Sequence, residues 1–238
     1  EIFVISIPSR MHTLRVTLHQ LNELKINYSL WRGHSADSND SNQLHHQFQH
    51  QVDIICNHTN TTSNKYAKDI YWNKAAFFLR ETQRDVLKRA IKFNYSKILL
   101  LEDDVLLANA AEWNKFCSIH QLLPPWLVLN LGTNQGGIDE IERINISNSA
   151  KMQYSIKDSK SWGTFAIAFA SPIFPVLIQA LDWNAGQVNV RPLDNLQCST
   201  LNVDPSKCIQ IIPTLVIPDV QGSDIRTKRS QQEFLETR

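Results

Sequence analysis

An apolar segment that ends in three consecutive acids is the feature that most constrains the fold of this chain. Residues 98–101 are Ile, Leu, Leu and Leu, and they are followed directly by Glu102, Asp103 and Asp104. A short run of large apolar residues is typical of a strand that is buried on both faces. Because carboxylates are costly to bury without a partner, the acids mark the end of that strand. The pattern predicts a buried strand over residues 97–105.

Strand-like and helix-like patterns alternate along the rest of the chain. Strands are predicted at residues 2–7, 28–31, 126–131, 164–170 and 209–217, and helices at residues 13–25, 67–92, 110–120, 172–181 and 193–201. The strand–helix–strand opening predicts a parallel βαβ unit. The whole alternation predicts an α/β fold with a single Rossmann-like, mostly parallel central sheet flanked by helices.

Charge and glycine content narrow the class of ligand. The chain has 24 Lys and Arg against 23 Asp and Glu, for a net charge of +1, which argues against nucleic acid as a partner bound through bulk charge. No apolar run approaches the about 20 residues of a membrane span. The chain has only 7 glycines, and neither GxGxxG nor GxxxxGK[ST] occurs. A glycine-rich phosphate-binding loop is therefore not expected.

The cellular compartment stays open between the cytoplasm and the lumen of the Golgi or endoplasmic reticulum. The sequence begins at Glu1 without methionine, as a trimmed or processed chain does, so a signal or anchor can lie outside it. Cys198 and Cys208 are close enough to form one bridge in an oxidising compartment, and free thiols are the equal alternative. Asn-x-Ser/Thr sequons support a secretory location only weakly in a chain so rich in Asn, and they occur at Asn27, Asn57, Asn60, Asn94 and Asn145.

The three acids after the strand predict a divalent cation site. In an extended strand, Glu102 and Asp104 point to the same side and can share one ion, whereas Asp103 points the other way. Oxygen ligands suit Mg2+ or Mn2+, with phosphates and water completing the shell. The alternative is that the acids are solvated and cap the helix that follows.

Several short motifs occur in an order that resembles glycosyltransferase family 25. They are residues 4–10 (VISIPSR) with Arg15, residues 97–105 (KILLLEDDV), residues 129–132 (LNLG), residues 162–166 (WGTFA), residues 192–194 (PLD) and residues 223–225 (SDI). That family includes bacterial lipooligosaccharide galactosyltransferases and procollagen galactosyltransferases. Where the family commonly has a Gly and a Ser-His pair, residues 77–83 read FFLRETQ.

The resemblance implies a GT-A fold and a nucleotide-sugar donor. The whole chain, 1–238, would form one domain, with a nucleotide-binding part at about 1–135, an acceptor-binding part at about 136–225 and a polar tail at 226–238. By position, the resemblance implies that Glu102 and Asp104 bind Mn2+ or Mg2+. The residues expected beside the nucleotide and donor sugar are Ile5, Ser6, Pro8, Arg10 and Asp103.

The expected chemistry is metal-dependent transfer of a sugar, with a UDP-sugar as the favoured donor and a hydroxyl of a glycan, glycoprotein or glycolipid as acceptor. A divalent ion neutralises the departing diphosphate. Inverting transfer, which the resemblance favours, needs a carboxylate to deprotonate the hydroxyl. Asp194 is the favoured base, with a helix cap as its alternative role, and the other candidates are Asp158, Asp182 and Asp224. Trp162, Gly163 and Thr164 are expected to contact sugar, the alternative being a core tryptophan at the start of a strand.

Two other functions remain open from the sequence. A degenerate GT-A domain would bind a glycan or nucleotide without catalysis, and the altered residues 77–83 and the absence of histidine after His120 keep this interpretation open. A metal-dependent phosphoryl-transfer enzyme would also place paired acids after a strand. That enzyme would need a nucleophilic Asp or a phosphate loop near the first strand, and residues 7–10 (IPSR) supply neither.

Overall fold

A computed structural model describes residues 1–34, 46, 74–135, 144–147, 152–156, 161–182 and 201–219. Ten strands are found in these segments: β1 (Ile2–Ser6), β2 (Ser29–Arg32), β3 (Lys97–Glu102), β4 (Val105–Leu107), β5 (Val128–Gln135), β6 (Ile144–Ser147), β7 (Met152–Ile156), β8 (Ser161–Ala170), β9 (Cys208–Ile212) and β10 (Val216–Pro218). The α-helices of the same segments are α1 (Met11–Glu23), α2 (Lys74–Lys92), α3 (Ala110–Ile119) and α4 (Phe174–Ala180).

Eight of the strands form one mixed sheet in the order β2-β1-β3-β8-β5-β9-β7-β6. β1 is parallel to β2 and to β3, which confirms the predicted parallel βαβ opening. Successive pairings across the sheet show that β7 and β8 run antiparallel to β1, whereas the other five strands run in the same direction as β1. The insertion of β8 between β3 and β5 was not expected, because an apolar pattern does not encode strand direction.

Helices bury both faces of this sheet, as the apolar strands predicted. α1 and α3 cover one face with core residues that include Leu14, Leu21, Trp113 and Phe116. α2 and α4 cover the other with Val86, Leu87, Phe174 and Leu177. Each such side chain contributes about 1.5–3 kcal/mol on burial. Among the described helices, none is both long enough and apolar enough to cross a membrane.

Two predicted strands are shorter than expected. β3 ends at Glu102, the chain bends at residues 103 and 104, and β4 begins at Val105, so the single strand predicted over 97–105 was wrong. The predicted strand 209–217 is likewise divided into β9 and β10. β10 pairs antiparallel with β4, outside the main sheet. The bend at residues 103–104 therefore leads directly into a two-stranded ribbon of β4 and β10.

The cysteine prediction is resolved in part. Cys208 is disulfide-bonded, and its partner lies outside the described residues, so a bridge to Cys198 stays a prediction. Cys117 is a free and exposed thiol.

Candidate functional site

The candidate site lies where β1 and β3 end side by side. Ile5 of β1 is in register with Glu102 of β3, so the two carboxyl ends meet at one edge of the sheet. Beyond β1 the chain enters a 3-10 turn at Pro8–Arg10, which leads into α1. Proline fits this first turn because its fixed φ suits a helical start and its missing N–H needs no partner. The turn carries Arg10 over the end of β3, at the edge where open α/β sheets bind ligands.

Arg10 bridges the two aspartates that follow β3. Its Nη2 lies 2.6 Å from Oδ2 of Asp104 and its Nε lies 3.3 Å from Oδ1 of Asp103. The hydroxyl of Ser6 donates a 2.6 Å hydrogen bond to Oδ2 of Asp103. Asp103 and Asp104 are 4% and 7% exposed, so the ion pairs are shielded from water and stronger than surface pairs. We call these four residues, Ser6, Arg10, Asp103 and Asp104, the aspartate cluster.

The backbone of the bend is held by distant parts of the chain. The hydroxyl of Thr17 on α1 lies 2.9 Å from the carbonyl oxygen of Asp103 and 3.2 Å from that of Val105. The amide of Asp219, just after β10, donates a 2.6 Å hydrogen bond to the carbonyl of Asp104. The backbone that carries the two carboxylates is therefore held by α1 and by the residue that follows β10, independently of Arg10.

Burial and the positive charge of Arg10 have opposite effects on the pKa of Asp103 in the aspartate cluster. Burial raises the pKa of the Asp103 carboxyl above its ordinary value, while the Ser6 hydrogen bond and the charge of Arg10 lower it and the neighbouring Asp104 raises it. With both carboxylates ionised, the cluster carries a formal charge of −2 + 1 = −1. A net negative cluster can accept a further cation.

The structure brings together four of the predicted site residues and separates one. Ser6, Arg10, Asp103 and Asp104 meet in the aspartate cluster. Glu102 ends β3, and strand alternation places it on the face of Ile98 and Leu100, which pack toward α2. The expectation that 102 and 104 share a side rested on an extended strand through 104, and the bend removes that premise. The assignment of a metal to Glu102 and Asp104 stays a prediction.

The other predicted nucleotide-binding residues belong to the framework of the site. Ile5 is 5% exposed and packs in the core on the α2 side. Pro8 begins the turn that delivers Arg10. Neither observation tests a contact with nucleotide, and both roles stay predictions.

The predicted sugar-binding segment reaches the same edge of the sheet. Trp162, Gly163 and Thr164 lie in the first half of β8. β8 is antiparallel to β3 with Leu101 opposite Ala166, so residues 162–164 extend past the end of β3 on the side of the aspartate cluster. Their backbone position suits a role beside the donor, which stays a prediction. The predicted base, Asp194, lies outside the described residues.

Gly132 makes room for the ribbon that closes the site. A Cβ at this position would lie 2.5 Å from Cε2 of Phe165 and 2.5 Å from the carbonyl oxygen of Val216 in β10. The amide of Leu215 donates a 2.8 Å hydrogen bond to the carbonyl of Leu131. Glycine at 132 therefore lets β10 approach β5 closely enough for Asp219 to hold the bend.

Sequence reasoning missed Thr17 and the pair formed by His34 and Asp85. Thr17 is fully buried on the apolar face of α1, and a polar residue on that face is a signal that was available. His34 follows β2, and its Nε2 lies 2.9 Å from Oδ2 of Asp85 on α2. The hydrogen bond to Asp85 raises the pKa of His34 above its ordinary value. No sequence signal joins these two residues, because 51 positions separate them.

The altered segment at residues 77–83 carries buried charges that join α2 to the end of α4. Nη2 of Arg80 donates a 3.1 Å hydrogen bond to the carbonyl of Leu181. Nη2 of Arg84, the residue directly after this segment, lies 3.2 Å from Oδ2 of Asp182. Burial lowers the pKa of Arg80 to about 10 and raises that of Glu81. These contacts give the segment a structural role at the interface between the two helices.

The aspartate cluster contains a pair of carboxylates, the type of ligand that divalent cations prefer. Asp103 and Asp104 offer the hard oxygen donors that Mg2+ and Mn2+ prefer, and the cluster retains a net charge of −1. Within the described residues no group of three His, Cys, Asp or Glu side chains is placed to hold a metal. Such an ion would therefore take its remaining ligands from phosphate and water.

No protein-family model matches the chain, and no curated protein matches it. Solved structures with remote similarity to the chain include the following three. A glycosyltransferase involved in the glycosylation of the major capsid of PBCV-1 is 13% identical with a TM-score of 0.36, over 76% of this chain and 65% of that chain. Mouse xyloside xylosyltransferase 1 is 9% identical with a TM-score of 0.35, over 79% and 73%.

The third similar structure is mannose-1-phosphate geranyltransferase from Thermus thermophilus, 11% identical with a TM-score of 0.31 over 56% of this chain and 49% of that chain. The match to the capsid glycosyltransferase spans just under two thirds of that protein, and this one spans about half. Similarity at these scores is too remote to assign a function.

Proposed function

We propose that this chain is a glycosyltransferase that moves a sugar from a nucleotide-diphosphate donor to a hydroxyl of a glycan, glycoprotein or glycolipid. A UDP-sugar is the favoured donor. The observation that supports this function is the aspartate cluster at the carboxyl ends of β1 and β3. There, two buried aspartates and one arginine meet at 2.6 and 3.3 Å. This arrangement offers both a cation-binding pair and a phosphate-binding group at one point.

Each residue of the aspartate cluster would have a separate role in binding such a donor. Arg10 presents a guanidinium that can pair with two phosphate oxygens at once. Asp103 and Asp104 would hold Mn2+ or Mg2+, with Glu102 as the additional ligand predicted from the sequence. The bound ion supplies charge neutralisation of the diphosphate leaving group. Ser6 keeps Asp103 in place through the hydrogen bond to its Oδ2.

Transfer with inversion further requires a base on the acceptor side. The base takes the proton of the acceptor hydroxyl as its oxygen attacks the anomeric carbon, and the bond from that carbon to the diphosphate breaks. Asp194 remains our candidate for this base. Trp162, Gly163 and Thr164 on β8 are candidates for contact with the sugar, because that part of the strand extends past the end of β3.

A thermal-shift panel of UDP-sugars and GDP-sugars with and without Mn2+ tests the proposal, together with an assay of donor hydrolysis. We expect one sugar nucleotide to stabilise the protein, with Mn2+ required. Asp104→Asn keeps the shape of the side chain but loses the charge, so it should lose that stabilisation and reduce hydrolysis at least about a hundredfold. Glu23→Gln is the matched control, since Glu23 is an exposed acid on α1.

The same experiment separates the alternatives. Binding of a sugar nucleotide without hydrolysis or transfer would indicate a degenerate binding domain. Release of phosphate from simple phosphate esters would indicate a phosphoryl-transfer enzyme. If no nucleotide sugar changes the melting temperature, the glycosyltransferase proposal is wrong.

A further inference from the structure

Arg10 already occupies the carboxylates that a divalent cation would need. Its guanidinium contacts Oδ2 of Asp104 at 2.6 Å and Oδ1 of Asp103 at 3.3 Å, and its side chain is only 15% exposed. A second cation on these oxygens would meet the positive charge of Arg10 at close range. Repulsion between neighbouring cations in a shielded site is strong, because water cannot screen it well. Arg10 and a divalent ion therefore compete for the same pair of acids.

A diphosphate removes this conflict. Phosphate oxygens are preferred partners of the guanidinium group, which binds them through two parallel hydrogen bonds. Once Arg10 pairs with phosphate, the oxygens of Asp103 and Asp104 become available to the ion. Binding of the nucleotide then favours binding of the ion, and binding of the ion favours binding of the nucleotide.

Contacts that do not involve Arg10 hold the carboxylate of Asp103 and the backbone of both aspartates. The hydroxyl of Ser6, which lies on β1, donates a hydrogen bond to Oδ2 of Asp103. Thr17 and the amide of Asp219 hold the backbone carbonyls of Asp103 and Asp104. Arg10 itself lies at the boundary between the 3-10 turn and α1 with a non-helical backbone, so its side chain can change partner without unwinding the helix.

We propose that Arg10 is an internal counter-cation that moves from the Asp103–Asp104 pair to the diphosphate of the donor, so that divalent cation and nucleotide bind cooperatively. This inference rests on the proposed function for the identity of the anion. The competition between Arg10 and the ion does not depend on the identity of the anion, because it follows from the contacts of Arg10 with Asp103 and Asp104. By linkage, UDP must raise the affinity for the ion by the same factor as the ion raises the affinity for UDP.

The test measures Mn2+ binding to the full chain by electron paramagnetic resonance, with and without UDP. Wild type should bind Mn2+ weakly alone and about tenfold more tightly with UDP, within the usual range of coupling between sites. Arg10→Met keeps an unbranched side chain about as long as the aliphatic stem of arginine and removes the charged guanidinium group. It should bind Mn2+ about tenfold more tightly than wild type without UDP, and UDP should add little. Arg15→Met is the matched control, since Arg15 is exposed on α1.

Two results would overturn the inference. The first is equal Mn2+ affinity of Arg10→Met and wild type without UDP. The second applies if circular dichroism shows that Arg10→Met does not fold, and it is an unchanged NMR resonance of the Arg10 Nε–H group in wild type when UDP and diamagnetic Mg2+ are added. This resonance is assigned by its loss in Arg10→Lys. Movement of Arg10 to the diphosphate should shift it. If no nucleotide binds but Arg10→Met still gains Mn2+ affinity, the glycosyltransferase proposal fails while the competition stands.

Discussion

Substitution of Gly132 by alanine tests whether the close approach of β10 to β5 sustains both the fold and the site. The new Cβ would lie 2.5 Å from Cε2 of Phe165 and from the carbonyl oxygen of Val216. An ordinary contact is about 3.5 Å, so both β10 and the Phe165 ring must move away from residue 132 by about 1 Å. Overpacking of this kind costs about 1–3 kcal/mol. For a chain of this size that lowers the melting temperature by about 2–12 °C.

The assay is thermal unfolding followed by circular dichroism, with Gly33→Ala as the matched control. A Cβ at Gly33 would meet two side-chain atoms, Cγ2 of Ile7 and Oγ1 of Thr82, both at 3.3 Å. Side chains can yield by the few tenths of an ångström required, whereas the backbone oxygen of Val216 is tied into β10. Gly33→Ala should therefore lower the melting temperature by less than about 4 °C, which corresponds to about 1 kcal/mol.

The Gly132 substitution should also weaken the binding of Mn2+ and UDP. Displacement of β10 carries with it Asp219, whose amide holds the carbonyl of Asp104 at 2.6 Å. Equal melting temperatures for wild type and Gly132→Ala would refute the steric reasoning. A destabilised variant with unchanged ligand affinity would refute the link between β10 and the aspartate cluster.

Three further outcomes follow from the contacts of the site. Thr17→Val leaves the carbonyls of Asp103 and Val105 without their hydroxyl partner, so urea unfolding should show a loss of about 1–3 kcal/mol; an unchanged midpoint would contradict it. Because the pKa of Asp103 is raised on folding, its contribution to stability is present below its unfolded pKa and is lost as pH rises through the folded pKa. Asp103→Asn should thus gain stability relative to wild type as pH increases, and parallel pH profiles would refute this. The pKa of His34 is also raised, mainly by its hydrogen bond to Asp85. Wild type should therefore lose stability as pH rises above about 6.5. In urea titrations over the same pH range, His34→Gln should not show this loss.

Much of the fold was predictable because hydrophobic periodicity is a local property. The strands Ile2–Ser6 and Lys97–Glu102 begin at the predicted residues, and the helix between the first two strands is displaced by only two residues. Their parallel pairing was predictable because a strand–helix–strand connection leaves few alternatives. The insertion of β8 into the middle of the sheet was not, since it depends on which long-range pairings bury the most surface.

The candidate site was predictable in location but not in geometry. The acids after a buried strand pointed to the carboxyl edge of the sheet, and Ser6 and Arg10 were placed beside them through the family resemblance. The pairing of Glu102 with Asp104 was derived from an extended strand. The structure ends the strand earlier because Thr17 and Asp219 bind the carbonyls of the bend, and these partners come from other parts of the chain.

The sequence by itself determined that three acids follow a strand buried on both faces, because apolar residues must leave water and carboxylates must not enter the core unpaired. Only the tertiary structure decided which acids meet. Arg10 and Asp104 are 94 positions apart, and Ser6 and Asp103 are 97 apart. Contacts over such separations are set by how helices and strands pack, and no local pattern records them. That packing made Arg10 the counter-charge of the two aspartates.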